Sequence, residues 1–275
     1  MKTKHKTLQL LDQKADQFAK STASRFPLED SVDRFNKPSD IGFRKDSSEE
    51  PFLEWLIKCL PSTGSILDVG SGDGRVAKLL RHKGLDVTCL EPASNRAAEL
   101  KQQSFKVLEA RFLEHSFDES FNTVLFCRSI GLASIRDAKV QLSDTLRKAA
   151  ELSIDRIIFV MPPEELLVHK LFRRERLPLF KRPLFQFHLL QLLSLRIPLR
   201  EISHSYYVMN QYESVQDCLE KDFSKTSWNE KQLTKLKSTL SHIMSESFER
   251  RVHWMVRYCE VSAQDLRSAL DKLQT

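Results

Sequence analysis

The residues with the clearest chemical potential are Asp68, three alternating glycines at 70, 72 and 74, and a second acid, Glu91. The first four lie within Ile66–Arg75, read Ile-Leu-Asp-Val-Gly-Ser-Gly-Asp-Gly-Arg. Ile66, Leu67 and Val69 form a short apolar run, the pattern of a buried parallel strand. Val76, Leu79 and Leu80 then recur at helical spacing, so the glycines make the turn from strand to helix. Only glycine tolerates both positive φ and close backbone approach, so three at alternate positions point to a loop pressed against a ligand. The helix behind the loop offers free N–H groups and a positive dipole end.

Two kinds of nucleotide cofactor fit a glycine-rich first turn followed by an acid at the end of a second strand. Dinucleotide sites use G-x-G-x-x-G, so that a pyrophosphate sits over the helix N-terminus. Here the spacing is G-x-G-x-G, and Asp68 stands two residues before the first glycine. A carboxylate there repels a pyrophosphate but suits an ammonium group. Glu91 is placed to accept hydrogen bonds from two ribose hydroxyls with either cofactor. The charge argument favours S-adenosylmethionine, which carries an amino acid tail, a sulfonium and no phosphate.

The elements that must position these residues alternate. A helix opened by Ser48, two glutamates and Pro51 carries Phe52, Leu53, Leu56, Ile57 and Leu60 and ends at Pro61. Strands are expected at Ser65–Val69, Asp86–Leu90, near Lys106–Glu109, at Asn122–Cys127 and at Asp155–Met161. Helices separate them, the first running to Gly84 and the last covering about 137–152. Strands alternating with helices imply a parallel sheet covered on both faces, with ligands at the carboxyl ends beside strand one. After Pro162–Pro163 the rhythm changes. Helices are expected over 164–176 and 183–195, a strand over Arg200–Val208, and helices over 212–223 and 227–247, the latter opened by a Ser227–Glu230 capping box. A final strand (Arg251–Tyr258) and a last helix opened by Ser262 and Asp265 close the chain. Before all of this, Leu8, Leu11, Ala15 and Phe18 mark a first helix, and residues 20–50 read as a covering segment.

Composition sets outer limits. The 275 residues are 41% hydrophobic and 29% charged, those of an ordinary globular protein with no low-complexity segment. A formal charge of +6 and a pI near 9.0 permit an anionic partner without requiring one. Cys59, Cys89, Cys127, Cys218 and Cys259 are an odd set with no C-x-x-C pair, which argues for reduced thiols in a cytoplasmic protein and against a metal site. No apolar stretch follows the basic N-terminus, and the densest apolar run, Phe187–Leu195, is too short to span a bilayer. No membrane association is expected.

Residues 64–162 resemble the core of a class I S-adenosylmethionine-dependent methyltransferase. Ile66–Gly74 matches the family's D-x-G-x-G-x-G motif, Glu91 matches the acid closing strand two, and Phe117–Leu125 matches the approach to strand four. The resemblance implies a Rossmann-like α/β fold, a seven-stranded, mostly parallel sheet with an antiparallel last strand and helices on both faces. It also implies a division into an N-terminal helical cap (1–61) and a methyltransferase domain (62–275) with helical insertions at about 163–196 and 210–248. The implied cofactor contacts are Asp68, Gly70, Ser71, Gly72, Asp73, Gly74, Glu91, Pro92, Arg111, Phe112, Cys127 and Arg128. Three departures stand out. Arg111 occupies the position of an Asp that often contacts the adenine amino group, which leaves backbone groups around Arg111 and Phe112 to hold the base. Asn122 replaces a common Asp, and Glu151-Leu-Ser-Ile replaces a Pro-Gly-Gly turn.

The acceptor is less marked, because in-line transfer from a sulfonium asks mainly for orientation and desolvation. Phe126-Cys-Arg-Ser-Ile lacks the Asn/Asp-Pro-Pro-Tyr/Phe motif of adenine or glutamine amino-group methylation. Cys127 lacks the preceding proline of a cytosine-C5 nucleophile and reads as a small core residue. Arg128 is placed to meet an acceptor carboxylate or phosphate or the cofactor's own carboxylate, or is a surface arginine, and Glu164 and Glu165 are candidate bases or the acidic first turn of a helix. Lys170–Arg182 interleaves six basic residues with Phe172 and Phe180, either an RNA-binding patch or the wet face of an amphipathic helix. A small-molecule acceptor under helical insertions is the main expectation. The alternatives are an RNA or protein methyltransferase using residues 170–182, or a non-catalytic cofactor-binding partner subunit.

Overall fold

The computed structural model describes residues 50–136, 139–161, 164–165, 197–223, 229–244 and 249–274. In chain order the elements are α1 (Glu50–Cys59), β1 (Ser65–Val69), α2 (Arg75–His82), β2 (Asp86–Leu90), α3 (Ser94–Gln102), β3 (Lys106–Leu108) and β4 (Phe121–Cys127). Then come α4 (Ile130–Ala133), the small hairpin β5 (Ile135–Arg136) and β6 (Lys139–Val140), α5 (Leu142–Leu152), β7 (Ser153–Val160) and β8 (Glu164–Glu165). The remainder is β9 (Leu199–Gln211), α6 (Val215–Phe223), α7 (Glu230–Ile243), β10 (Glu249–Ser262) and α8 (Ala263–Gln274).

The main sheet runs β3-β2-β1-β4-β7-β10, with β9 on the far edge of β10. The first five strands are parallel, and β10 is antiparallel to both β7 and β9. This is a mostly parallel, Rossmann-like sheet with its last strand reversed, as the resemblance implies. β8 is a two-residue resumption of the β7 edge: Val160 faces Tyr258, and Glu164 and Glu165 face Met255 and Trp254 further along β10.

Alternate strand residues feed two cores, one on each face. Leu67, Val124, Phe126, Ile157 and Phe159 pack against Leu142, Leu146 and Ala149 of α5 and Leu266 and Leu270 of α8. Ile66, Leu125, Ile158, Val160 and Tyr258 pack against Phe52 and Leu56 of α1 and Ala77 and Leu80 of α2. Both faces are therefore buried, which is why β1, β4 and β7 read as continuous apolar runs. A third cluster stands apart, built from Tyr212, Cys218, Leu219, Leu236, Leu240 and Met244 at α6 and α7.

Several boundaries depart from expectation for physical reasons. Glu164 and Glu165 form a strand rather than the first turn of a helix, because β10 outruns β7 and offers further pairing. The capping box of α7 is Asn229–Gln232, not Ser227–Glu230: the Asn229 side chain accepts from the Gln232 N–H, and Gln232 returns the bond. The β5–β6 hairpin takes the start of the helix expected from 137, so α5 begins at Leu142. The expected helices around residues 8–18 and 183–195, and the basic stretch 170–182, lie outside the described residues.

Candidate cofactor site

The site lies where β1, β2 and β4 end. After Val69 the chain turns through Gly70 (φ +73°), Gly72 (φ +58°) and Gly74 (φ +78°), all left-handed. A side chain is excluded twice over at two of them. A Cβ on Gly70 would lie 2.8 Å from Cβ of Ser129, and one on Gly74 would lie 2.6 Å from Cδ2 of Leu100. At Gly72 the nearest atom is the end of the Arg96 side chain, at 3.1 Å. The glycines thus serve first to let the loop nest between the end of β4 and α3, a need internal to the protein that their spacing alone does not reveal.

Hydrogen bonds then fix the loop to β2. Gly70 N–H donates to the Leu90 carbonyl at 2.7 Å, and the Ser71 hydroxyl donates to the Asp68 carbonyl at 2.8 Å. Glu91 accepts from Gly72 N–H at 2.8 Å through Oε2 and from Ala93 N–H at 3.0 Å through Oε1. Each carboxylate oxygen keeps a further lone pair, so Glu91 latches the glycine loop and still presents acceptors for hydroxyls. Asp73 accepts from the Arg75 backbone N–H and pairs with its side chain at 2.9 Å, so it secures the start of α2. Pro92 continues from Glu91 into α3, half-buried.

Asp68 is the unusual group. It is 1% exposed, and its Oδ2 has no hydrogen-bond partner among the described residues. Burial pushes its carboxyl up to about 7; hydrogen bonding from Ser71 opposes this and the nearby Glu91 charge adds to it. Glu91 is also raised by burial, while the N–H groups of Ala93 and Gly72 and the charge of Arg96 pull it back. Next to them, burial and the Asp68 charge push the Cys89 thiol up to about 12, which leaves it unreactive.

On the β3 side, Arg111–His115 forms a turn in which the Arg111 carbonyl accepts from the N–H of Glu114 and His115 at 3.1 Å. Phe112 is buried edge-on against Phe126, with centroids 5.3 Å apart, so its ring belongs to the core. Lys148, reaching from α5, donates to the carbonyls of Leu113 and His115 and holds this turn. Sequence reasoning missed that lysine, and no local signal distinguishes it from any other lysine on a helix.

On the β4 side, Cys127 is half-buried at the strand end. Arg128 follows with φ +62°, a left-handed conformation that is uncommon outside glycine. Its N–H donates to the Val160 carbonyl at 2.8 Å, and its guanidinium lies 4.2 Å over the Phe52 ring of α1. The structure thus brings Asp68, the glycine loop, Glu91, Cys127 and Arg128 to one edge of the sheet. Glu164 and Glu165 are placed only as strand positions opposite Met255 and Trp254. His204 stacks on Trp55 at 4.7 Å, and His253 pairs with Tyr207, so both are sheet residues. Among the described residues no group of three or more His, Cys, Asp or Glu is placed to hold a metal, and no helix is long and apolar enough to cross a membrane.

The donor set fits an amino acid–nucleoside cofactor: a buried acid with an unpartnered oxygen that suits a cationic group, and a second, latched acid that suits hydroxyls. Residues 51–162 match the family model described as methionine biosynthesis protein MetW. No curated protein matches the chain. Among solved structures, the YcgJ protein of Bacillus subtilis is 14% identical, with a TM-score of 0.46 over 78% of this chain and 98% of that one. A methyltransferase from an antibiotic biosynthesis pathway of Anabaena variabilis is also 14% identical, with a TM-score of 0.47 over 76% and 96%. The N-methyltransferase NodS of Bradyrhizobium japonicum, solved with S-adenosyl-L-homocysteine, is 12% identical, with a TM-score of 0.44 over 84% and 95%. The strand order, the single reversed strand and the acid–glycine turn between β1 and α2 give this chain the Rossmann-like methyltransferase fold, and its residues 51–162 match the MetW family model.

Proposed function

We propose that the protein is an S-adenosylmethionine-dependent methyltransferase acting on a small-molecule acceptor. The observation that carries the donor assignment is the buried Asp68 carboxylate, whose Oδ2 has no hydrogen-bond partner among the described residues at the end of β1, beside three left-handed glycines. A pyrophosphate is repelled there, whereas an ammonium supplies the hydrogen bonds and the charge that the carboxylate lacks. Glu91, oriented by two backbone N–H groups, accepts from the ribose hydroxyls. When bound, the cofactor supplies an electrophilic methyl on a sulfonium. The chain's own contribution is to orient the donor along the sheet edge and to keep water from it.

The small-molecule acceptor is supported by what stands beyond that edge. β10 continues from Arg257 back to Glu249 past the last β7 pair, and β9 follows it throughout. At roughly 3.3 Å per residue this ribbon extends about 30 Å beyond the parallel strands. It carries α6 and α7 at its far end, and α1 packs against its inner face through Phe52, Trp55 and Tyr206. Walls on two sides suit a small acceptor better than an extended polymer.

Titration calorimetry with S-adenosylhomocysteine tests the donor. The wild type binds, and Asp68→Asn loses at least about tenfold in affinity, the scale of one charge-assisted bond. Absence of binding by the wild type overturns the assignment. For the acceptor, incubation of metabolite and RNA extracts with labelled cofactor followed by mass spectrometry is expected to label a small molecule. Label confined to RNA, together with retention on heparin, supports the alternative carried by residues 170–182.

A further inference from the structure

The two edges of the main sheet are built differently. β3 is three residues long and its Lys106 pairs with Glu119, so it is a short, charged edge of the kind that resists pairing with other chains. β9, at the opposite edge, is 13 residues long and contains no lysine, proline or glycine. Its pairing with β10 runs from Leu199 against Val261 to Gln211 against Glu249 without a bulge, so nothing bends this edge away. Arg200 and Glu201 stand together at one end of the strand and cancel in charge. At roughly 3.3 Å per residue the edge is about 40 Å long.

Hydrogen-bond directions decide which groups point out of it. The N–H and C=O of one strand residue point to the same side, and the side alternates along the strand. Met161 N–H donates to the Arg257 carbonyl, so Arg257 addresses the β7 side of β10 and leaves its β9 neighbour, Ser203, unbonded across the ladder. Val160 gives its carbonyl to Arg128 N–H on the β4 side, so its β10 neighbour, Tyr258, turns to Ile202 of β9. Both relations give the same phase. Ile202, His204 and Tyr206 hold β10, while Glu201, Ser203 and Ser205 direct N–H and C=O outward. Among the described residues no strand lies beyond β9, and no backbone group meets Ser203 or Ser205 from outside. Both serines are exposed.

We propose that β9 pairs antiparallel with β9 of a second copy about a two-fold axis at Ser205, which joins two sheets into one. Ser205 is the midpoint of Leu199–Gln211, so this register overlaps the whole strand. It is also an outward-bonding position, so the two copies exchange a pair of N–H to C=O bonds at the axis itself. His204 falls opposite Tyr206 of the other copy, on the face that Trp55 of α1 covers, and forms a close cross-strand aromatic pair. Arg200 and Glu201 fall opposite Asn210 and Met209, so no like charges meet. That self-complementarity is what selects a second copy as the partner, and it stands independently of the methyltransferase reading.

Sedimentation equilibrium from about 1 to 100 μM, spanning the weak end of protein interfaces, is expected to show the mass rise from 31.9 kDa toward twice that value. Ser205→Pro removes the outward N–H and no bond to β10, and is expected to weaken association at least about tenfold with an unchanged melting temperature. Ser205→Cys reads the register directly, because hydrogen-bonded antiparallel partners lie about 5.5 Å apart at Cα, within the span of a disulfide. Under mild oxidation it is expected to give a covalent dimer well above the wild-type background. Ser203→Cys, which faces Tyr207 rather than its own copy, is expected to stay at that background. If Ser205→Pro melts early, the two cysteine variants decide. A wild type at 31.9 kDa throughout, association untouched by a folded Ser205→Pro, or crosslinking no greater in Ser205→Cys than in Ser203→Cys overturns the proposal.

Discussion

At the scale of single residues, the glycines separate two costs that sequence alone merges. Gly84 has φ +88° and nothing within 4 Å of a would-be Cβ, whereas Gly74 has φ +78° and meets Leu100 at 2.6 Å. Gly84→Ala is therefore expected to cost about 1 kcal/mol in urea unfolding, from backbone conformation alone. Gly74→Ala is expected to cost at least about twice that, with part recovered by adding Leu100→Ala, because the two sites share one clash. Asp68 gives a second prediction. Its folded-state carboxyl, near 7, lies above its ordinary value of 3.8, so the folded protein holds a proton that the unfolded chain releases. Its contribution to apo stability is greatest at low pH, falls as pH rises from about 4 to about 7, and is level above that. An ammonium-bearing ligand favours the ionised form, so the melting shift caused by S-adenosylhomocysteine should grow between about pH 6 and 8 and flatten in Asp68→Asn. A shift independent of pH in the wild type would remove Asp68 from ammonium binding. The acid and the glycine spacing were readable from the chain. The Glu91 latch on Gly72 was not, because it joins positions just past the ends of two strands through a backbone N–H that no residue type announces.

At the scale of elements, the alternating half was legible because each strand is bracketed by turns and buried on both faces. Ser65–Val69 and Asp86–Leu90 appear with the expected bounds. Legibility fails where a partner decides. Pro162 and Pro163 lack N–H groups and mark a strand end, yet pairing resumes at Glu164 because β10 reaches further than β7. Asn229 rather than Ser227 caps α7, since both types cap well and only geometry selects between them. α1 shows how one element is tied down from afar. Lys83, beyond α2, donates to the carbonyls of Ile57 and Leu60 at 2.6 and 2.7 Å and closes the α1 C-terminus. Lys83→Met should cost about 1–2 kcal/mol in denaturant melts, with Lys83→Arg recovering part. An unchanged midpoint would mean that water replaces the lysine fully.

At the scale of the whole molecule, the chain is a two-faced sheet with a ribbon carried past the cofactor edge and a helix pair at the ribbon's end. The length of the ribbon was not legible, because Leu199–Gln211 and Glu249–Ser262 are separated in sequence by the helices they support. The packing divides along the same line: the cluster holding α6 to α7 shares no residue with either sheet core. A cluster of that size opens locally more readily than the sheet does. Leu236, fully buried between α6 and α7, is the place to test this. Leu236→Ala removes about 2–5 kcal/mol of packing from the helix pair. Amide hydrogen exchange should then quicken through Val215–Phe223 and Glu230–Ile243 while β1, β4 and β7 keep their protection, and S-adenosylhomocysteine affinity should stay within about twofold. Exchange that quickens everywhere would show one cooperative core. Retained protection with lost affinity would place α6 and α7 on the cofactor rather than beyond it, and would move the acceptor to another face of the sheet edge.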